Sequence, residues 1–462
     1  MSASVLLLIL MGLMVAGYLI GRLRSLAMVG GARGLRRLQS LPHYYGLYTA
    51  LWCGLPALLV LVLWGAFQEP VLVQLAQRTA PVEVQEAGAV QMDLYMNDVR
   101  NVLSGSVAAA QASPGVAATA ERYRQLHGAA RLALTVLLLC LAIGGLLWAR
   151  ARIDPQRRAR VAVENTFQYL LLACSMLAVF ITLGIFLSVV YESVQFFRAV
   201  SPLEFLFGTN WSPQTAIRAD QVGSSGSFGA VPLFLGTAMI TGIAMLVAVP
   251  LGLFAAIYLA EYAGAKFRAW AKPMLEVLAG IPTVVYGFFA ALTMGPALRN
   301  LGATIGLDVA AESALAAGLV MGIMIIPFIS SLADDMITAV PQSLRDGAYA
   351  LGATRSEAIR QVVLRAALPG IVGGVLLAIS RAIGETMIVV MAAGLAAKMT
   401  ANPFDAVTTV TVQIVTLLTG DQEFDGPKTL AAFALGLMLF LLTLALNVLA
   451  LRVVRKYREQ YE

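Results

Sequence analysis

Residues 340–369 read Val340-Pro-Gln-Ser-Leu-Arg-Asp-Gly-Ala-Tyr-Ala-Leu-Gly352-Ala-Thr-Arg-Ser-Glu-Ala-Ile-Arg-Gln-Val-Val-Leu-Arg-Ala-Ala-Leu-Pro369. Pro341 is typical of the first turn of a helix, and Gly352 is typical of a helix end. Thr354 and Glu357 have the capping-box spacing that starts a second helix. The segment therefore predicts two short helices that fold back on one another at Gly352. We call residues 341–369 the knob.

The composition makes lipid the solvent for much of the chain. Hydrophobic residues make up 59% of the sequence and charged residues 13%, and the mean hydropathy is +0.80. A soluble surface cannot be built from so few charges. The net charge of +6 does not indicate a nucleic-acid partner, because the basic residues lie between apolar segments rather than on one face.

Nine segments are apolar and long enough to cross a membrane, which takes about 20 residues. They lie near residues 4–21, 47–67, 131–149, 166–191, 232–261, 274–297, 312–334, 369–395 and 429–453. The sequence therefore predicts an all-α integral membrane protein with about nine transmembrane helices. We divide it into an N-terminal extension and a six-span core. The extension, residues 1–160, has three spans and an external polar segment at 69–130, and the core is residues 161–462.

The basic residues are concentrated in every second loop. The loops at 22–46, 150–165, 262–273, 335–368 and 454–462, together with Arg452, hold 21 Lys and Arg residues, whereas the other loops hold 10. Because cytoplasmic loops carry such an excess, we expect the knob and the C-terminus in the cytoplasm and the N-terminus outside. The first apolar segment has no basic residue before it, unlike a cleavable signal peptide, so we expect it to remain as a span.

Most polar and sulfur-containing side chains outside the knob have ordinary interpretations. The three cysteines, Cys53, Cys140 and Cys174, lie inside apolar segments without metal-ligand spacing, and the two histidines are far apart. The sequence therefore predicts no metal or disulfide site. Glu261 and Glu276, at the ends of apolar segments, are interpreted as ordinary helix-end charges.

The predicted span at 369–395 contains two charged residues, Arg381 and Glu385. An arginine at the centre of a membrane helix costs roughly 2.5–3.5 kcal/mol, and such residues are usually functional. Glu385 follows four residues later and is predicted to share a helix face with Arg381, where it offsets the charge. A guanidinium matches the geometry of phosphate or carboxylate. Either these residues line an anion path, or the pair only holds helices together.

The knob resembles the EAA loop of ABC-importer permeases, in which Glu-Ala-Ala is followed by three residues, a glycine, nine residues and Ile-x-Leu-Pro. Here Asp346-Gly347-Ala348 stands at the triplet and Gly352 at the glycine. In that family the loop inserts into a groove on a separate ATPase subunit and transmits its closure. The resemblance implies that the ATPase-coupling residues are Asp346, Gly347, Ala348, Gly352, Thr354 and Glu357.

The knob departs from the family pattern at three positions. Asp346 stands for the glutamate and keeps its charge. Gly347 stands for an alanine, which loosens the helix by about 1 kcal/mol. Arg365 stands where the family often has proline, so we expect the second helix to continue towards Leu368.

The stretch Arg381-Ala-Ile-Gly-Glu-Thr-Met387 is similar to the Arg-Ala-Leu-Gly-Glu-Thr-Met signature of phosphate ABC-importer permeases. Further similar stretches are Phe228-Gly-Ala-Val-Pro-Leu, Leu278-Ala-Gly-Ile-Pro-Thr-Val-Val-Tyr-Gly287 and Glu192-Ser-Val-Gln-Phe-Phe, the last typical of PstC-type rather than PstA-type subunits. Over residues 165–455 the resemblance implies a MetI-like core of six helices. It also implies a substrate path that includes Arg381, Glu385 and Thr386.

The resemblance implies a phosphate importer subunit of the bacterial inner membrane that is not itself an enzyme. Its partners would be a second homologous permease of PstA type, a dimer of ATPase subunits and a periplasmic phosphate-binding protein. The external segments 193–230 and 397–428 are the candidate docking sites for that binding protein. This chain would bind no cofactor itself. ATP and Mg would lie on the ATPase, because no lysine here follows a glycine and the Gly-Lys-Ser/Thr motif is therefore lacking.

Three alternatives to phosphate import stay open at this point, the last of which is a membrane scaffold or regulator of phosphate signalling that could use the same sequence. The first is a permease for another oxyanion, such as molybdate or sulfate. The second is an ion-coupled secondary carrier, which would need intramembrane carboxylates or broken helices in both halves.

Overall fold

A computed structural model describes residues 3–81, 84, 88–106, 111–213, 226–419 and 426–458. These residues are almost all helical, and a single two-stranded antiparallel sheet pairs β1 (Trp211–Ser212) with β2 (Ser227–Phe228). The predicted all-α membrane fold is confirmed. The chain forms two compact units, Met1–Val179 and Phe180–Glu462, and the boundary falls inside the helix Ala159–Ala199. The division near residue 160 stays a prediction.

The N-terminal unit contains four long helices and one shorter one. They are α1 (Ala3–Met28), α2 (Pro42–Gln77), α3 (Ala89–Ser104), α4 (Pro114–Ala151) and α5 (Ala159–Ala199), with a 3₁₀ helix at Ala32–Arg37. Small residues let α1 and α2 approach closely, as is common between membrane helices. A Cβ added at Gly21 would lie 2.3 Å from Thr49 Oγ1 and 2.7 Å from the Tyr45 carbonyl oxygen.

The segment predicted to be external and polar, residues 69–130, is mostly helical where it is described. Helix α2 continues to Gln77, and α4 begins at Pro114. The amphipathic α3 packs its apolar face on the start of α4, and Val99, which is fully buried, lies in that cluster with Val116. Residues 107–110 of this segment lie outside the described residues.

The second unit contains the remaining elements. They are α6 (Pro202–Phe207), α7 (Val231–Ile257), α8 (Ala265–Ala279), α9 (Thr283–Phe289), α10 (Gly295–Thr304), α11 (Ala314–Thr338), α12 (Gln342–Ala350), α13 (Arg355–Glu357), α14 (Leu364–Ile383), α15 (Met387–Ala392), α16 (Val410–Leu418) and α17 (Pro427–Arg458). Three π-helical turns extend these helices: Tyr258–Tyr262 after α7, Ala290–Met294 between α9 and α10, and Ala358–Val363 between α13 and α14.

Helix α11 lies at the centre of the second unit. Its apolar window is 61% buried, whereas no other candidate span in the described residues exceeds 28%. Glycines bring α11 against α7: a Cβ at Gly318 would lie 2.7 Å from the Ile243 side chain, and one at Gly252 would lie 2.9 Å from Ile329. These glycines leave no free volume between α7 and α11.

Eight helices in the described residues are long and apolar enough to cross a membrane, or nine if a bent pair counts as one span. The bent pair is α8 with the helix Thr283–Thr304, and the bend is 82°. The predicted span at 274–297 is therefore broken near its start. Gly280 ends α8, and Pro282, which lacks a backbone N–H and fixes its φ angle, precedes α9.

Candidate functional site

The knob reverses the chain at a glycine, as its sequence predicts. Gly352 has a φ of +83°, which favours glycine because a Cβ there costs roughly 1–2 kcal/mol. Its backbone N–H donates to the Tyr349 carbonyl at 2.9 Å and so closes α12. The predicted capping box is confirmed: Thr354 Oγ1 accepts from the Glu357 N–H, and the Glu357 carboxylate accepts from the Thr354 N–H at 2.8 Å.

The second helix of the knob is longer than predicted. It begins at Arg355, passes through the π-helical turn and continues in α14 to Ile383, a single helix of 29 residues. Pro369 therefore lies inside a helix and not at its end. The predicted pair of short helices is wrong in this respect. Helix α12 folds back onto the first turns of a long helix.

The tip of the knob presents an apolar side chain to solvent. Leu351 is 91% exposed, and Tyr349 beside it is 42% exposed. Of the residues predicted to couple to an ATPase, Ala348 is buried. The others are exposed: Asp346, Gly347, Gly352, Thr354 and Glu357. An exposed apolar residue with a polar rim is typical of a protein-binding surface.

Two arginines of the knob meet at one residue of a neighbouring helix end. Arg345 Nη2 lies 2.9 Å from Glu261 Oε1, and the two side chains are only 11% and 9% exposed. Arg355 donates to the Glu261 carbonyl oxygen and stacks on the Tyr262 ring at 5.0 Å. We call Glu261, Arg345 and Arg355 the Glu261 latch. It ties both sides of the Gly352 turn to the π-helical end of α7.

The interpretation of Glu261 as an ordinary helix-end charge is wrong. Its carboxylate is buried and paired, and a buried charge is tolerated only with such a partner. Arg345 also donates to the carbonyl of Ile337 at 2.8 Å and to that of Val340, so α12 is fixed to the end of α11 as well. Sequence reasoning missed this pair because 84 residues separate its members.

A second buried carboxylate joins α8 to α11. Asp334 is 3% exposed and accepts from Arg268 at 2.9 Å and from Lys272 at 2.8 Å. Lys272 also lies 3.2 Å from Asp335. The signal available in the sequence was a carboxylate on a predicted span together with two cations on an earlier amphipathic helix. Together the two networks join α7, α8, α11 and the knob.

Arg381 lies in the last turn of α14 and not midway along a span. The helix ends at Ile383 with Gly384 as its cap, because glycine is a poor helix former. Glu385 lies beyond that end, so the predicted shared helix face is not formed. Instead Glu385 Oε1 accepts from the Met387 N–H at 3.2 Å at the start of α15, and its carbonyl accepts from Thr411 Oγ1 at 2.9 Å.

The Arg381 guanidinium is exposed and stands 5.6 Å from the centre of the Phe328 ring. Within the described part of the chain, no carboxylate lies within 4.0 Å of it. Its charge is therefore available to an anion. Glu385 and Thr386, the other residues predicted to line a substrate path, follow at the break between α14 and α15 and are half-buried.

Comparison with known proteins places both parts of the chain. Residues 248–459 match the family described as binding-protein-dependent transport system inner membrane component. Residues 5–111 match a family described as phosphate ATP-binding cassette transporter. The probable ABC transporter permease protein YqgH of Bacillus subtilis is 33% identical over 312 residues, which cover 67% of this chain and 96% of that one.

The phosphate transport system permease protein PstC of Haemophilus influenzae is 30% identical over 315 residues, which cover 64% of this chain and 95% of that one. This chain belongs to the PstC family of ABC-transporter permeases. The resemblance predicted from the knob and from residues 381–387 is thereby confirmed. Among solved structures, a chain of a bacterial ABC transporter involved in alginate import is 16% identical with a TM-score of 0.43, over 64% of this chain and 99% of that one.

One candidate docking segment of this PstC-family chain, residues 397–428, is fixed by Asp405 where it is described. The Asp405 carboxylate accepts from Thr400 Oγ1 at 2.8 Å, from Lys398 Nζ at 3.0 Å and from Asn402 Nδ2 at 3.2 Å. The Thr400 hydroxyl, followed by Lys398, holds the pKa of that carboxyl below its usual value. Within the two candidate docking segments, 193–230 and 397–428, residues 214–225 and 420–425 lie outside the described residues.

Proposed function

We propose that this PstC-family chain is the transmembrane permease subunit of an ATP-driven phosphate importer. The observation that carries the proposal is the single helix from Arg355 to Ile383. It begins in the knob and ends in the turn that holds Arg381. At 1.5 Å per residue, about 39 Å separate Arg355 from Arg381 along it. A movement of the knob therefore reaches the candidate substrate arginine through one continuous element.

The knob would dock into a separate ATPase, and the partners would be a dimer of that ATPase, a PstA-type permease and a periplasmic phosphate-binding protein. The exposed Leu351 and its polar rim support the docking. The excess of basic residues in alternate loops supports a cytoplasmic knob and C-terminus and an external N-terminus. ATP and Mg would lie on the ATPase, because this sequence lacks a Gly-Lys-Ser/Thr motif.

Closure of the ATPase dimer would push the knob and move two parts of the core. The helix Arg355–Ile383 would carry the movement to Arg381, and the Glu261 latch would carry it to α7. Because α7 is packed against α11 at Gly318 without free volume, α11 would follow. The spans would then swing from an inward-facing to an outward-facing arrangement, with Arg381, Glu385 and Thr386 on the path.

Energy input is needed because a phosphate anion must enter a compartment that is negative inside. Each charge costs roughly 2.3 kcal/mol per 100 mV, so a passive pore would conduct the anion outward. The exposed Arg381 guanidinium supplies the positive charge that an anion needs in a membrane. The relatives named for phosphate transport support phosphate over sulfate or molybdate.

Uptake measurements in cells that lack this gene would test which anion is the substrate. We expect that restoring the chain restores ATP-dependent uptake of labelled phosphate, and that a large excess of sulfate or molybdate leaves that uptake unchanged. Restored uptake of molybdate or sulfate without restored phosphate uptake would refute the phosphate assignment and leave the permease assignment standing.

A further inference from the structure

The basic residues of the N-terminal unit are of one chemical type. Residues 1–160 contain fifteen arginines and no lysine, and ten of these arginines lie in the loops 22–46 and 150–165. Charge bias across a membrane needs only a positive side chain, and lysine would serve equally. Arginine differs because its planar guanidinium stacks on aromatic rings and donates two parallel N–H groups to a phosphate.

These two loops form one fixed surface. The Tyr45 side chain is fully buried, and its hydroxyl donates to the Arg157 carbonyl at 2.9 Å and to the Pro155 carbonyl at 3.2 Å. The backbone N–H of Gln39 also donates to the Pro155 carbonyl, at 3.0 Å. The backbone at 155–157 is therefore held in place, and the side chains that it carries are oriented before any ligand arrives.

Two guanidiniums stand at the ends of a row of aromatic rings. Arg157 lies 4.6 Å from the centre of the Tyr48 ring, and Arg152 lies 4.5 Å from the centre of the Trp148 ring. Trp52 lies between the two rings, 6.4 Å from Tyr48 and 4.5 Å from Trp148. Trp52 and Trp148 are 39% and 38% exposed. Exposed tryptophans beside a span are typical of the headgroup level of a membrane.

An open pocket of about 370 Å³ lies between these guanidiniums. It is lined by Ala151, Arg152, Ile153, Asp154 and Arg157. Among the described residues, no carboxylate lies within 4.0 Å of Arg152 or Arg157, whereas the nearby Arg160 is paired with Glu164 at 2.6 Å. Asp154 is engaged locally, because its Oδ1 accepts from the Gln156 N–H at 3.1 Å.

We infer that this pocket binds the phosphate headgroup of an anionic phospholipid. The Trp148 and Tyr48 rings position the guanidiniums of Arg152 and Arg157, and Arg157 Nη1 also donates to the Arg152 carbonyl at 3.1 Å. The other N–H groups of the two side chains are left for a phosphate between them. The exposed tryptophans beside the pocket provide a surface for the acyl chains. An anionic lipid is favoured over a zwitterionic one, because the choline or ethanolamine cation would face two arginines. The inference does not depend on the proposed transport function.

Lipid binding to the purified full-length chain in a neutral detergent tests the inference. Native mass spectrometry would measure the apparent Kd for phosphatidylglycerol and for phosphatidylcholine. We expect tighter binding of phosphatidylglycerol, and a loss of roughly tenfold in the double variant Arg152→Gln/Arg157→Gln, because two charge-assisted contacts are removed. The matched control is Arg150→Gln/Arg158→Gln, which removes the same charge from two exposed arginines of the same loop and should leave the Kd nearly unchanged.

Three outcomes would overturn the inference. The first is equal weakening by both double variants, which would reduce the effect to general surface charge. The second is equal affinity for phosphatidylcholine. The third is displacement of phosphatidylglycerol by millimolar inorganic phosphate, which would make free phosphate the ligand. If the glutamine variant does not fold, the same Kd measurement is made on the double variant Arg152→Lys/Arg157→Lys. It keeps both charges, and unchanged affinity there would contradict the guanidinium geometry.

Discussion

Replacing Arg381 with glutamine should lower phosphate uptake by roughly a hundredfold or more while the chain still folds and reaches the membrane. The guanidinium is exposed and has no carboxylate partner in the described residues. Its contact with the Phe328 ring, at 5.6 Å, contributes only about 0.5–1 kcal/mol, so the fold should tolerate its loss. Removing it takes away charge-assisted contacts to a passing anion, each of which contributes about 1.5–3 kcal/mol. Initial rates of labelled phosphate uptake in cells that lack the chromosomal gene would measure the loss.

Arg299→Gln is the matched control for that substitution. Arg299 is also an exposed arginine of the second unit, but it lies on α10 and away from the α14–α15 break. Uptake should stay near the wild-type rate in this variant. Normal uptake in Arg381→Gln would remove Arg381 from the substrate path, although it would leave the assignment to the PstC family intact.

Replacing Glu261 with glutamine should uncouple ATP hydrolysis from transport. Breaking one partner of a buried ion pair costs about 3–5 kcal/mol. The knob would lose its charge-paired contact with α7 and would keep only the contacts of Arg355 with the backbone carbonyl of residue 261 and with the Tyr262 ring. The surface of the knob would remain, so the ATPase should still bind and hydrolyse ATP. We expect phosphate uptake to fall at least about tenfold, the change that corresponds to 1.4 kcal/mol. The number of ATP molecules hydrolysed per phosphate transported, measured in proteoliposomes of the complete complex, should rise in proportion.

The double variant Glu261→Arg/Arg345→Glu distinguishes loss of the ion pair from a general loss of protein stability as the cause of uncoupling. The reversed pair should restore part of the coupling, though not all, because Arg345 also donates to the Ile337 and Val340 carbonyls. The control Glu312→Gln changes an exposed carboxylate without an ion pair in the described residues and should leave the ratio unchanged. An unaltered ratio in Glu261→Gln would contradict the role of the Glu261 latch.

The structural features that could be predicted from the sequence are those determined by residues close together in the chain. The Gly352 turn and the Thr354–Glu357 capping box depend on a few adjacent residues, and both appear as expected. The spans follow from hydropathy in the same local way. The helix from Arg355 was expected to continue only towards Leu368, because Arg365 replaces the proline of the family pattern and Pro369 follows Leu368. Since Pro369 can lie within the helix, the chain continues to Ile383.

The features that the sequence did not reveal depend on residues far apart in the chain. Glu261 meets Arg345 across 84 positions. Arg157 stacks on Tyr48 across a still longer separation. The break at Gly384 was also missed, because a single glycine between apolar segments is compatible with a membrane helix. That break is what moves Arg381 from mid-helix to a helix end, and it makes the residue more accessible to an anion than the sequence suggested.

The central claim is that the knob couples an ATPase to phosphate import, and Leu351→Asp tests it most directly. Leu351 is 91% exposed, so a charge there should leave the fold unchanged but should weaken an apolar docking contact. The measurement is ATP-dependent phosphate uptake by proteoliposomes of the complete complex, with Leu307→Asp as the control in an exposed turn after α10. The account predicts that uptake is lost in Leu351→Asp and kept in Leu307→Asp. Full uptake in Leu351→Asp would contradict it.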